Sequence, residues 1–156
     1  GLEIAKSAGV QTVLNPAPAT DLPEELLSLC DYITPNETET EALTGISVSS
    51  VSDAQKASDE LHKMGVKTPI ITLGEKGAFL HGYGLIDSFK IAPVVETTGA
   101  GDAFNGAFAA ALSEGQAPLE AVTFGCATAG ISVTRAGTAP SMPIRSEVEK
   151  ILATRL

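Results

Sequence analysis

The run Glu96-Thr97-Thr98-Gly99-Ala100-Gly101-Asp102 sets three small residues in front of a carboxylate, at a point where a helix is predicted to begin. Val94 and Val95 supply a short β-branched run before it, Thr97 and Thr98 are placed to cap the coming helix, and an apolar helix runs from Asp102 to about Leu112. The first N–H groups of a helix have no partner within it, and the helix dipole adds positive charge there. Gly99, Ala100 and Gly101 therefore read as an anion hole suited to a phosphate. A carboxylate placed in it at Asp102 repels that phosphate unless it serves to accept a proton, and phosphoryl transfer to an alcohol needs such a group. The alternative is that Asp102 is a first-turn acid favoured by the dipole and the glycines form a tight turn.

These residues must be positioned by an alternating chain. Leu2 to Ala8 reads as a helix tail closed by Gly9, so the start looks cut rather than natural. Gln11 to Leu14 is a short strand ended by Asn15-Pro16-Ala17-Pro18-Ala19. Leu22 to Leu29 is a small helix introduced by Asp21 and Pro23, and Tyr32 to Thr34 is a second strand. Pro35-Asn36 starts a helix closed by Gly45, and Val51 to Met64 is an amphipathic helix ending at Gly65. Pro69 to Leu73 is an apolar strand that Gly74-Glu75-Lys76-Gly77 turns into Ala78 to His81, and Gly82 to Val95 holds weaker strands. Two further helices, Leu119 to Thr134 and Ser146 to Ala153, flank a glycine and proline loop from Arg135 to Pro143. Strands alternating with such helices indicate the α/β class, a layered αβα domain with a largely parallel central sheet. Ligands of such sheets collect at the carboxyl ends of strands. There are no repeats and no low-complexity segment.

Composition narrows the partners. The 156 residues, 44% of them hydrophobic, suffice for one sizeable core, and one domain is expected. A net charge of −9 argues against nucleic acid or an anionic membrane as partner. No apolar stretch approaches the ~18 residues of a membrane span, and no signal peptide opens the chain. Cys30 and Cys126 have no metal-type spacing and sit in apolar runs, which fits buried thiols in a reducing cytoplasm.

Three other strand ends carry candidate chemistry. In T-P-N-E-T-E, Asn36 and Glu39 stand three apart at a helix start; they form either a capping box, or an amide near phosphates beside an acid holding hydrated magnesium. In I-T-L-G-E-K-G, Thr72 and the glycines Gly74 and Gly77 either approach a nucleotide or make a hairpin turn. In R-A-G-T-A-P-S, Arg135 to Ser141, the plain reading is a helix-terminating loop. No segment has the G-K-[ST] of a Walker-type phosphate loop.

Taken in order, N-P-A-P-A, T-P-N-E-T-E with L-T-G, I-T-L-G-x-x-G, T-T-G-A-G-D-x-F-x-G-A and V-T-R-x-G-x-x-P-S resemble the carboxyl-terminal half of the PfkB-type family of sugar and nucleoside kinases. The resemblance covers essentially the whole chain, and its first and last motifs lean toward the members that phosphorylate ribose rather than fructose or adenosine. It implies that residues 1–156 are the nucleotide-binding part of one such domain, without the amino-terminal half that supplies most of the sugar grip and the lid. It implies a catalytic base at Asp102 and an anion hole at Gly99, Ala100, Gly101 and Asp102. ATP contacts are implied at Asn36, at Thr72, Leu73, Gly74, Glu75, Lys76 and Gly77, at Gly101 and Asp102, and at the position of Cys126. Glu39 matches the acid tied to Mg2+. A potassium-like ion is implied beside Glu96, Thr98, Ser132, Arg135, Gly137 and Ser141, mostly through backbone carbonyls. The family normally has aspartate where this chain has Glu96, and the extra methylene carries the carboxylate about 1.5 Å further.

The implied reaction is ATP-dependent phosphorylation of D-ribose to ribose 5-phosphate by a cytoplasmic enzyme, with ATP and a small sugar as partners and a homodimer of the full-length protein left open. Two alternatives stand beside it: a kinase of the same family with another sugar or nucleoside, and a truncated nucleotide-binding fragment without activity.

Overall fold

A computed structural model describes residues 1–20 and 22–154; the reading of Asp21 as a helix introducer lies outside them. The chain forms two compact units, the first made of Gly1–Gly74 and Ala78–Leu85, the second of Glu75–Gly77 and the residues from Ile86 onward.

The first unit is built on parallel strands. β1 (Val13–Leu14), β2 (Tyr32–Ile33) and β3 (Thr68–Thr72) run parallel, with Val13 opposite Tyr32 and Tyr32 opposite Thr68. β4 (Gly77–Leu80) turns back antiparallel on β3, pairing Ile71 with Phe79, and β5 (Gly84–Asp87) follows it in the order β1-β2-β3-β4-β5. α1 (Leu2–Ser7) precedes β1, α2 (Glu24–Leu27) joins β1 to β2, and α3 (Glu37–Thr44) and α4 (Val51–Lys63) lie between β2 and β3. α4 presents Ala54, Ala57 and Leu61 at 3-residue and 4-residue steps, and all three are fully buried in one core with Ile33, Ile71 and Phe79. This apolar stripe fixes which way α4 faces.

Those ends are close together. The Thr34 amide donates to the Leu14 carbonyl at 2.9 Å, and the Thr72 amide to the Pro35 carbonyl at 2.9 Å. The N-P-A-P-A turn, the Asn36 helix start and the Leu73-Gly74 turn thus leave the parallel strands on the same side.

The second unit is helical. α5 (Ala100–Ser113) and α6 (Pro118–Ser132) pack face to face through small residues, and Gly125 lies so close to Phe104 that a Cβ there would stand 2.8 Å from the ring. α7 (Arg145–Ala153) is pinned by Arg145, which pairs with Glu114 and lies 5.2 Å over the Phe124 ring. Two expectations for this region are corrected. Between Gly82 and Val95 only Gly84–Asp87 is a strand among the described residues, and Val94 and Val95 are exposed rather than paired, because no neighbouring strand covers them. Thr97 and Thr98 do not cap α5; Gly99 does, without any side-chain bond.

Candidate active site

The start of α5 is the position where small residues and a carboxylate are expected to converge, and its backbone is unlike that of other helix starts in the chain. Gly99 is the N-cap with φ +83°, in the left-handed region that side chains rarely adopt. A Cβ there would also meet the Thr138 methyl at 3.1 Å. The Ala100 amide closes a turn onto the Thr97 carbonyl at 3.1 Å, whereas the amides of Gly101 and Asp102 meet no protein acceptor among the described residues. Two donors of the first turn are thus open to an anion, and the third small residue serves the turn.

Asp102 is the third residue of α5. Four other helices also carry an acid at this position, and each acid bends back to the amide of its own N-cap: Glu39 to Asn36 at 2.8 Å, Asp53 to Ser50 at 3.1 Å, Glu120 to Ala117 at 3.1 Å, Glu147 to Ile144 at 3.0 Å. Asp102 makes no such bond and is exposed. Side-chain length is not the reason, because Asp53 is also an aspartate and closes its box. The backbone is the reason: the other four N-caps are extended, with ψ between 153° and 177° in magnitude, while Gly99 has ψ 1° and turns its N–H away. The Asp102 carboxylate is left for other work.

Around this start lies the closing loop. Val95 and Glu96 both donate their amides to the Val133 carbonyl, at 2.7 and 3.2 Å. A Glu96 carboxylate oxygen accepts the Gly137 N–H at 2.8 Å. Ser132 and Ser141 are buried, and their hydroxyls donate within the loop and helix, to Ala129 at 2.9 Å and Thr138 at 2.6 Å. The Arg135 side chain is turned to Glu147, whose carboxyl it holds below the usual carboxylate range together with the Ile144 amide. The backbone carbonyls of Thr98, Arg135 and Gly137 receive no hydrogen bond among the described residues. Cys126 is buried within α6.

The remaining expected residues lie on or just after β2 and β3. Asn36 and Glu39 form the full capping box: the Glu39 amide donates to Asn36 Oδ1 at 2.9 Å, and Glu39 Oε2 accepts from the Asn36 amide. Asn36 is exposed, and neither its Nδ2 nor the second Glu39 oxygen meets a protein partner among the described residues. The capping reading is thereby seen directly, and it leaves one polar atom on each side chain. Thr72 lies next to Pro35, Leu73 is buried, and Gly74 to Lys76 form an exposed turn of 3-10 type. Among the described residues no three His, Cys, Asp or Glu side chains gather as a metal cage.

Some participants were not foreseen. Thr138 packs on Gly99, Glu147 anchors Arg135, and the Asn105 amide donates to the Gly101 carbonyl at 2.9 Å. Glu147 carries no capping signal in the sequence, since the residue three before it, Ile144, has no side chain that could cap. Thr138 carries none either, since only the folded chain brings it to Gly99.

Residues 2–145 match the family described as pfkB family carbohydrate kinase. The chain is 49% identical over 153 residues to a ribokinase of Haemophilus influenzae, a match covering 96% of this chain and 50% of that protein. Among solved structures it is similar to a ribokinase of Thermotoga maritima, with TM-score 0.86 and 45% identity over 97% of this chain and 52% of that one. It is also similar to the Arabidopsis thaliana ribokinase complexed with ribose and ATP, with TM-score 0.92 and 38% identity over 97% of this chain and 50% of that one. The chain spans about half the length of the curated relatives it matches. It belongs to the pfkB carbohydrate kinase family.

Proposed function

We propose that this chain is the carboxyl-terminal, nucleotide-binding part of an ATP-dependent sugar kinase of ribokinase type, in which Asp102 accepts the proton of the sugar hydroxyl. The observation that supports this is the Asp102 carboxylate, the one acid of the five at the third helical position that does not bond back to its own N-cap. The relatives named ribokinase, and the structure holding ribose and ATP, favour D-ribose and formation of ribose 5-phosphate.

The chain's own groups divide the chemistry. The barrier to phosphoryl transfer falls mainly through positioning and stabilisation of the equatorial oxygens, and the open amides of Gly101 and Asp102 supply donors for that charge. Gly99 contributes the turn that opens them. Asp102 needs only hydrogen-bond reach to the attacking hydroxyl. By the family resemblance, Asn36, the turn from Thr72 to Gly77 and Cys126 are assigned to ATP. A hydrated magnesium ion would supply positive charge to offset that of the phosphates. Glu39 would hold it through the oxygen left over by the capping box, which fits an ion that keeps most of its water. A potassium ion would be held by the carbonyls of Thr98, Arg135 and Gly137, with Ser132, Ser141 and Glu96 nearby in the loop. The sugar grip is assigned to a part of the protein beyond these residues, with the reaction placed in the cytoplasm.

A kinase must hold the alcohol in line with the γ-phosphate and keep water out. The 156 residues alone are therefore expected to bind ATP weakly and to show no ribose-dependent ADP release; adding the amino-terminal half of a ribokinase relative should restore it. Ribose-dependent turnover by the chain alone would place the sugar site within these residues and overturn the division of labour.

A further inference from the structure

We infer that Glu96 is a positioning residue, a latch that holds the closing loop at Gly137 against the start of α5 by accepting a hydrogen bond. Forty-one positions separate the two residues, yet Glu96 Oε2 takes the Gly137 N–H at 2.8 Å. The bond is directed from both sides. The amides of Val95 and Glu96 converge on the Val133 carbonyl, which fixes the point from which the Glu96 side chain starts. Gly137 has φ +84°, so its N–H points where few residues other than glycine can aim it without strain.

What the latch controls is the residue after it. Thr138 stands with its methyl 3.1 Å from where a Gly99 Cβ would be, so the loop backs the left-handed turn that opens the α5 amides. The loop is tied down elsewhere at both ends: Arg135 pairs with Glu147, and the Thr138 carbonyl accepts from the Ser141 hydroxyl and amide at 2.6 and 3.2 Å. Between those ties, Glu96 is the one side chain among the described residues that reaches across from the α5 approach to the loop backbone. The extra methylene of glutamate is what closes the distance. An aspartate at 96 falls about 1.5 Å short and leaves its oxygen roughly 4 Å from the amide, outside hydrogen-bond range.

The latch works by acceptance and reach rather than by charge, and this makes it separable by substitution. Glu96→Gln keeps the length and a carbonyl oxygen; Glu96→Asp keeps the charge and loses the length; Glu96→Ala loses both. Amide hydrogen exchange of the 156-residue chain reads the bond directly. Losing one hydrogen bond of ordinary net strength predicts exchange at Gly137 faster by about threefold to tenfold in Glu96→Asp and Glu96→Ala. Glu96→Gln should stay within about twofold of the parent, since the bond is kept. Amides of buried α5 residues, such as Ala111, serve as the control for a folded second unit. Exchange in Glu96→Gln as fast as in Glu96→Ala, or in Glu96→Asp as slow as in the parent, would overturn the latch.

The effect on anion binding, unlike the latch itself, rests on the reading of Gly99–Asp102 as an anion hole. Titration with inorganic pyrophosphate tests it: Glu96→Asp and Glu96→Ala should bind several-fold more weakly than the parent and Glu96→Gln. A parent chain that takes no pyrophosphate removes the anion hole, while the exchange pattern at Gly137 still decides the latch.

Discussion

The starts of α3 and α5 are written in similar residues and built in opposite ways. Each places a small or polar residue at the cap and an acid three positions on, Asn36 with Glu39 and Gly99 with Asp102. At α3 the cap is extended, with φ −83° and ψ −177°, and the acid returns to the cap amide, so the helix satisfies itself. At α5 the cap is left-handed, the return bond is not made, and both the acid and two amides stay open. A helix start that satisfies itself is stable and has less to offer a ligand; one held open by its surroundings has donors and an acceptor free for chemistry. The surroundings that hold α5 open are the loop residues Gly137 and Thr138 and the Glu96 carboxylate.

Breaking the open start at its acid should have the largest effect. In an active protein that carries this chain, Asp102→Asn is expected to lower kcat by roughly 10²–10⁴-fold with ATP affinity little changed. Its thermal midpoint should stay put, since no cap is lost. Steady-state kinetics check this, and retained turnover would return Asp102 to the class of ordinary first-turn acids.

Forcing the open start toward the closed form comes next. Gly99→Ala places a side chain in the left-handed region and against Thr138, with an expected loss of about 1–2 kcal/mol from the backbone alone. Gly101→Ala, with open space around its Cβ, should be neutral or stabilising by up to about 1 kcal/mol. Urea midpoints of the two variants separate a glycine that the backbone requires from one that it does not.

Removing a cap sharpens the same contrast from the other side. Asn36→Ala is expected to cost about 1 kcal/mol of stability, and Asp102→Ala less than about 0.5 kcal/mol. Equal losses in denaturant melts would mean that Asp102 caps after all.

The smallest effect is a titration. Hydrogen bonds from the Ser50 and Ser49 hydroxyls lower the Asp53 carboxyl from its ordinary 3.8 to about 2. A carboxyl depressed on folding favours the folded state at all pH above its ordinary value, and that contribution is lost as pH falls through about 2. Carboxyl chemical shifts followed from an initial pH of about 5 downward should show Asp53 titrating late, and Ser50→Ala should move it back up; an Asp53 of ordinary titration would mean the box is open in solution.

Much of this was legible in the chain. The apolar steps of Ala54, Ala57 and Leu61 predict α4 because one buried face must recur with the helical turn. The spacing of Asn36 and Glu39 allowed the capping box as one of two readings, and the structure contains it. Gly45 stops α3 in the left-handed conformation that the sequence suggests. Less legible were the segment from Gly82 to Val95, where β-branched residues stay exposed, and the cap of α5, where two threonines offer hydroxyls that the fold does not use. Propensity describes what a residue can do; whether a strand pairs or a hydroxyl caps depends on what stands beside it.

By itself the sequence determined the alternation of elements, the placing of G-A-G-D at a helix start and the family to which these motifs belong, because each is a local pattern of residue types read along the chain. It could not decide whether Asp102 caps its helix or stands free. Both uses need the same residue at the same position, and the choice is made by the conformation of Gly99 and by a distant loop that starts at Arg135. Tertiary structure decides it because a left-handed N-cap turns the cap amide out of the acid's reach, and only the packing of Thr138 and the bond from Gly137 to Glu96 back that turn.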